Sequence, residues 1–527
     1  MNRYYSRFIA LFLLLLICRF LFSQIIVLDE FESTEGWNFI KSDGVELKLD
    51  IEQGLTGKAI RFDYDFTKGT GYGGVQKFFP IDLPENYEFT FYLKAQSPEN
   101  NFEIKFIDES GDNVWWVNNR NYKFPEEWKK IRIKKRHIDF AWGPASDRNL
   151  KRIDRIEFTI ASFVGGKGTI WLDDLKFEPL PAEIKAYPQP SVNTSSLLKK
   201  NTANNILDRS AETYWFSKDS GNQTVNIDFK MSREFGGLQI RWLEDHFAKD
   251  FDVFLSGDAR DWEKAYSVRN NQTDVSFIRL PEAQARFLRL ELINFSSEKG
   301  YGIREIEFLE VLESLTPNDF FRYVAKNSAL GYYPRYFTEQ ASFWTISGVN
   351  NDVSEALINE DGMIEANKAS FSIEPMIRVN NKLYNWNNVQ PSQSLGFNGR
   401  HENFTFLPTV QWLCEGIKLS VSVASIGEAN KNSMLDIRYT LENRNTEPIE
   451  FDLFLIIRPF QVNPYYQFLN LPGGVGKINS ISEDNGVIAV NDKVIIPQRK
   501  YDAFGAVNFD NGNIADLLSK GFMPDKT

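Results

Sequence analysis

Apolar and polar residues alternate over most of this chain. Val45, Leu47, Leu49 and Ile51 are separated by Glu46, Lys48 and Asp50, a period of two that places one face of a strand in a core and the other in water. The same period recurs at Tyr87–Leu93, Ile156–Ile160, Leu288–Leu292, Ile417–Val423 and Ile449–Ile457. Only two stretches read as helical: Asp319–Asn327, just after Pro317, and Ile514–Lys520, with Asn513 as N-cap and Gly521 as stop. The pattern predicts an all-β protein of antiparallel strands.

Proline-marked joints at 179–190 and 313–318 divide the chain. Three modules follow, 24–180, 183–313 and 319–527, each sized for a β-sandwich. The expected architecture is tandem β-sandwich or jelly-roll modules followed by a larger β-sandwich.

Residues 1–23 carry Arg3 and Arg7 ahead of the apolar run Phe8–Cys18, which Arg19 interrupts before Ser23. That is the layout of a secretory signal peptide. The run is too short for a hydrocarbon core that needs about 20 residues. The expected location is therefore outside the cytoplasm: periplasmic, cell-surface or extracellular in a bacterium, with no membrane span after signal removal. Cleavage would remove Cys18 and leave Cys414 alone, excluding an intrachain disulfide.

Composition narrows the function. Sixty basic and 71 acidic residues give a net charge of −11 without long single-sign runs, so the electrostatic footprint of a nucleic-acid binder is missing. Three His and two Cys leave little for imidazole or thiolate metal sites, and an oxygen-ligated metal is the remaining option. Aromatics make up 14% of the residues. Sugar rings present apolar C–H faces, so exposed aromatics beside amide, carboxylate or guanidinium groups suit a carbohydrate. The adjacent pair Trp115-Trp116 matters because alternation sends one ring outward when the other points inward. Tyr72, Trp115, Trp116 and Trp142 are the candidate platform.

Several motifs fail on context. Gly69–Gly74 satisfies G-x-G-x-x-G, but the strand-like Val75–Phe79 follows it where a dinucleotide fold needs a helix. Gly473–Lys477 lacks the first Gly and the Ser or Thr of a phosphate loop, and His401-Glu402 lacks the second His of a zinc-protease helix. No catalytic residue is nominated. A carboxylate pair can always be found among 71 acids, and spacing in sequence does not give their separation.

Three resemblances add to this reading. The first module opens with Leu28–Glu32 and Gly36-Trp37 and closes with Gly168–Phe177. Those ends resemble the first and last strands of galactose-binding-like jelly rolls, similar to carbohydrate-binding modules of family 11. The resemblance implies neighbouring termini, with Asp29 or Glu30 close to Asp173 and Asp174 around a structural calcium.

The second module contains Asn205–Trp215, Phe251–Trp262, Ala285–Leu292 and Tyr301–Phe308, which resemble, in order, the coagulation factor 5/8 C-terminal, or discoidin, domain. Residue by residue, Asp208, Thr213 and Glu305 match positions that help ligate calcium in bacterial sugar-binding members; Arg209 stands where the family prefers Gly. The family's recognition loops imply Arg241, Glu244 and His246 as sugar contacts, with Trp215 and Trp262 as packing residues.

In the third module, Tyr333–Trp344, Leu435–Arg444 and Leu455–Phe460 resemble the sandwich that precedes an (α/α) six-hairpin barrel in bacterial glycosidases. The resemblance implies that catalytic acids would lie in a following barrel and that this chain is the truncated front of such an enzyme. The expected function is that of an exported protein gripping a polysaccharide or oligosaccharide. The alternatives are a glycoside hydrolase with its site in the third module and a cell-surface adhesion protein.

Overall fold

The computed structural model describes residues 25–184, 186–198, 201–389, 396–397, 407–467 and 471–524. The segment 1–23, expected to be a signal peptide, and the pair His401-Glu402 lie outside them. No helix among the described residues is long and apolar enough to cross a membrane. The chain forms two compact units that divide between residues 185 and 186, inside the first proline-marked joint.

The first unit is a sandwich of two six-stranded antiparallel sheets. One runs Glu46–Gln53, Lys58–Asp65, Lys167–Pro179, Tyr87–Gln96 and Lys129–Lys134, with Ile26–Asp29 also on Lys167–Pro179. The first and last strands of the unit are thus neighbours, Ile26 opposite Phe177. The other sheet runs Asp139–Trp142, Val114–Tyr122, Asn100–Ile107, Arg152–Ala161, Tyr72–Asp82 and Asn38–Lys41. Alternation turns Phe62, Phe89, Phe91, Phe102, Phe106 and Phe158 into the shared core, and the interleaved polar residues necessarily take the other faces.

The second unit starts with a seven-stranded antiparallel sheet built on two long strands, Gln223–Trp242 and Val275–Phe295. Their register shifts between Asp228 and Arg233, where an irregularity bends the pair, and Trp215, Trp242, Phe251 and Leu290 fill the core. Beyond it, a six-stranded and a four-stranded sheet enclose Ile377, Trp412, Leu419 and Val421, followed by a three-stranded sheet over Ile481–Ile495.

Two α-helices occur among the described residues. The first, Pro317–Lys326, begins two residues before the sequence pattern suggests because Thr316 and Asp319 form a reciprocal capping box with Pro317 in the first turn. The second, Ile514–Ser519, is capped by the Asn513 side chain accepting from the Ala515 amide.

Candidate functional site

The clearest site lies on the solvent face of the second sheet in the first unit. In the strand Asn100–Ile107 the core takes Phe102, Ile104 and Phe106, so Glu103 and Lys105 point away from it. Register then assembles the face. Lys105 lies opposite both Trp116 and Glu157, and Glu103 opposite Asn118 and Thr159. Glu157 also faces Gln76, and Ala161 faces Tyr72; residues directly opposite share a face.

Lys105 is buried and donates to Glu157 Oε1 at 2.6 Å, with Glu103 at 3.2 Å. Thr159 Oγ1 donates to the same Glu157 oxygen at 2.6 Å. Burial works against the ammonium charge, but the two carboxylates outweigh it and raise the Lys105 pKa. Rings cover the network: Lys105 Nζ is 5.4 Å from the Tyr72 centroid and 6.0 Å from that of Trp142. Trp116 meets Trp142 edge to face at 5.5 Å. Tyr72 and Trp142 remain 42% and 48% exposed. Gly74 keeps the floor beside Tyr72 flat, since a Cβ there would collide with the Phe158 carbonyl. The result is a floor of fixed hydrogen-bonding groups rimmed by partly open aromatic surface.

Three of the four platform residues come together here. Trp115 does not: it is 5% exposed, donates through Nε1 to the Arg148 carbonyl and packs edge-on against Phe140. Alternation selected Trp116 for the open face and Trp115 for the core. Glu103, Lys105, Glu157 and Thr159 are the members that sequence reasoning missed. Their signal was present as polar residues interleaved with Phe102–Phe106 and Ile156–Ile160, but a strand pattern does not reveal which polar faces meet.

The acids of the first unit are not gathered around a cation. Asp29 ion-pairs with Lys77 at 2.7 Å and accepts from Trp37 Nε1 at 3.0 Å and the Phe31 amide at 2.7 Å. Asp173 accepts from the Leu55 and Thr56 amides at 2.8 and 3.0 Å, and Asp174 pairs with Lys176 at 2.5 Å. Asp29 and Asp174 already have cationic partners, and Asp173, whose pKa burial raises, is held by two amides, so the three do not fit the expected calcium. Among the described residues no group of three or more His, Cys, Asp or Glu forms a metal cluster.

The corner of Asp208, Thr213 and Glu305 differs. Thr213 Oγ1 lies 2.7 and 2.9 Å from the Asp208 oxygens. Glu305 is buried, accepts from the Arg209 amide at 2.8 Å, and is pushed up to about 7 by burial, with Asp208 adding to the shift. Arg209 takes the left-handed conformation (φ 61°) that the family's Gly would adopt freely. Glu305, the Thr213 hydroxyl and Asp208, which also accepts from the Ser210 amide, supply three hard oxygens of the roughly six to eight that calcium takes.

Arg241, Glu244 and His246 are close in sequence and have different neighbours. Arg241 lies on the sheet, 3.5 Å from Glu307; with the Gln239 carbonyl turned toward it, it donates at 2.7 Å while the Gln239 amide donates to Tyr323 of the first helix. Its guanidinium is thus engaged by Glu307 and Gln239, with the side chain 38% exposed. Glu244 lies on the turn that follows, and the His246 ring packs edge-on against Phe216 at 5.0 Å. Trp215 is fully buried, while Trp262 is half-buried beneath the Arg289 guanidinium at 4.0 Å.

Solved structures similar to single modules include chitosan-binding module 2 of a chitosanase/glucanase from Paenibacillus sp. IK-5, in complex with chitotriose. It is 21% identical, with 23% of this chain and 96% of that one covered and a TM-score of 0.22. Another is the family 11 carbohydrate-binding module of the cellulosomal cellulase Lic26A-Cel5E of Clostridium thermocellum, 22% identical, covering 31% of this chain and 98% of that one, TM-score 0.26. No curated protein matches the chain. Residues 191–306 match the F5/8 type C domain family.

Proposed function

We propose that this is an exported carbohydrate-binding protein that grips a polysaccharide, with the Tyr72–Trp116–Trp142 face as its principal contact. One observation carries the reading: Lys105, bracketed by Glu103 and Glu157, lies beneath two partly exposed rings. The rings suit the C–H faces of a pyranose, and the buried ion-paired network beneath holds them in place. The F5/8 type C module supports a second, weaker contact on the same polymer, where linkage multiplies affinity through effective concentration. Calcium held by Asp208, Thr213 and Glu305 would neutralise the buried Glu305 carboxylate and brace the second module. The segment 1–23 supports export.

The test is a polysaccharide and glycan array probed with the protein and with Trp116→Ala, with hydrolysis products measured in the same wells. Binding without product is expected, weakened at least tenfold by Trp116→Ala with the melting temperature nearly unchanged. Trp115→Ala should instead destabilise the protein by about 3–5 kcal/mol, the cost of emptying a core site. Undiminished binding by Trp116→Ala would sink the site assignment, and product release would point to catalysis within residues 319–527.

A further inference from the structure

Within the second unit a cleft of about 660 Å³ opens between the F5/8 type C sheet and the C-terminal segment. Its floor is aromatic. Phe320 and Phe321 come from the first helix, and Phe509 packs edge-on against both, at 5.9 and 5.1 Å. The walls are polar and fixed. Tyr266 Oη donates to Asp510 at 2.8 Å, and the Gln272 amide donates to the Asn511 carbonyl at 2.7 Å. Gly512 lets the segment approach closely, since a Cβ there would lie 2.6 Å from Thr273 Cγ2.

The two arginines of the walls differ in how their charge is met. Arg269 is paired with Asp252 at 2.6 Å. Arg279 donates only to main-chain carbonyls, of Ser314 at 2.9 Å and Leu315 at 2.6 Å. Among the described residues it has no carboxylate within ion-pair distance. Asp319, which acts on it from farther away, is held in the helix cap by Thr316. Arg279 is half-buried, and burial lowers its pKa. A partly desolvated guanidinium lacking a contact counter-ion is costly, and an anionic ligand would offset that cost. On the other wall Asp510, bonded only to Tyr266 among the described residues, can accept hydroxyl protons.

We propose that this cleft is a further saccharide site, selective for a sugar acid. The uronate ring packs against Phe321 and Phe509, its carboxylate meets the Arg279 guanidinium, and its hydroxyls donate to Asp510. A bare phosphate would satisfy the arginine but leave the aromatic floor uncovered. This site is independent of the face in the first unit.

The test is calorimetric titration of the full chain carrying Trp116→Ala, so that the first unit's face does not contribute. The probes are galacturonate, glucuronate and mannuronate trisaccharides, their carboxyl-reduced counterparts and inorganic phosphate. At least one uronate trisaccharide is expected to bind, with carboxyl reduction and Arg279→Gln each weakening it at least tenfold and phosphate failing to compete at equal concentration. Because Arg279 also ties down the Ser314–Leu315 backbone, Asn508→Trp, which fills the cleft from an exposed rim position, serves as the second variant and should also abolish binding. Failure of all three uronates to bind, equal binding of the reduced sugars, or unchanged binding by Asn508→Trp would overturn the proposal.

Discussion

Two acid groups, one in each unit, look alike in sequence and differ in chemistry. Asp29 and Asp174 are met by two ammonium groups, while Asp173, buried and raised in pKa like Glu305, is held by two backbone amides beside them. Glu305 is buried beside Asp208 with one backbone amide as its donor, and its pKa rises accordingly. A cluster of carboxylates marks a cation site only where the protein leaves their charge uncompensated.

The largest effect that would sharpen this contrast is expected at Asp29. Asp29→Ala strands Lys77 and the Trp37 indole N–H, and the loss should be about 3 kcal/mol in urea unfolding, unaffected by calcium. A calcium-dependent loss would place a cation there after all.

Next is the calcium response of the second unit. At a calcium concentration 100 times its Kd, binding to the native state alone contributes about 2.7 kcal/mol. Differential scanning calorimetry should show the upper shift in the wild type and none in Glu305→Gln. A shift that persists in Glu305→Gln would break the assignment.

In chelator the same carboxyl sets a pH dependence. Its folded pKa, about 7, lies above its ordinary 4.5, so the native state binds more protons between those values. The stability this group contributes is present below about pH 4.5 and is lost as pH rises through 7. Glu305→Gln should therefore gain on the wild type from pH 5 to about 7 and level off above it; a constant difference would show that Glu305 does not titrate in this window.

The smallest effect is at Arg209. Gly relieves the left-handed strain but loosens the unfolded chain, so Arg209→Gly should change stability by less than about 1 kcal/mol. Tighter calcium binding by this variant would show that the turn geometry limits the site.

Much of the fold was legible in the alternation. Ile156, Phe158 and Ile160 are buried as the period requires, and the two helices lie within two residues of their expected starts. The adjacent Trp115 and Trp116 were bound to diverge. Which of them faced the core depended on the register of Val114–Tyr122 against Asn100–Ile107, a choice made by long-range pairing.

The candidate sites were less legible. Glu103, Lys105 and Glu157 are ordinary strand residues until a pairing across 52 positions brings Lys105 to Glu157. Arg241 shared a short segment with Glu244 and His246, yet on the sheet it is engaged by Gln239 and Glu307, which that segment does not contain.

By itself, the sequence determined the all-β class, the period of the alternating strands, the Asn513 cap of the second helix and the F5/8 type C signature, because these depend on residues within a few positions of one another. Only the tertiary structure decided which polar faces meet, which carboxylates find a cation and which aromatic rings stay open, because charge compensation and burial depend on neighbours distant in sequence.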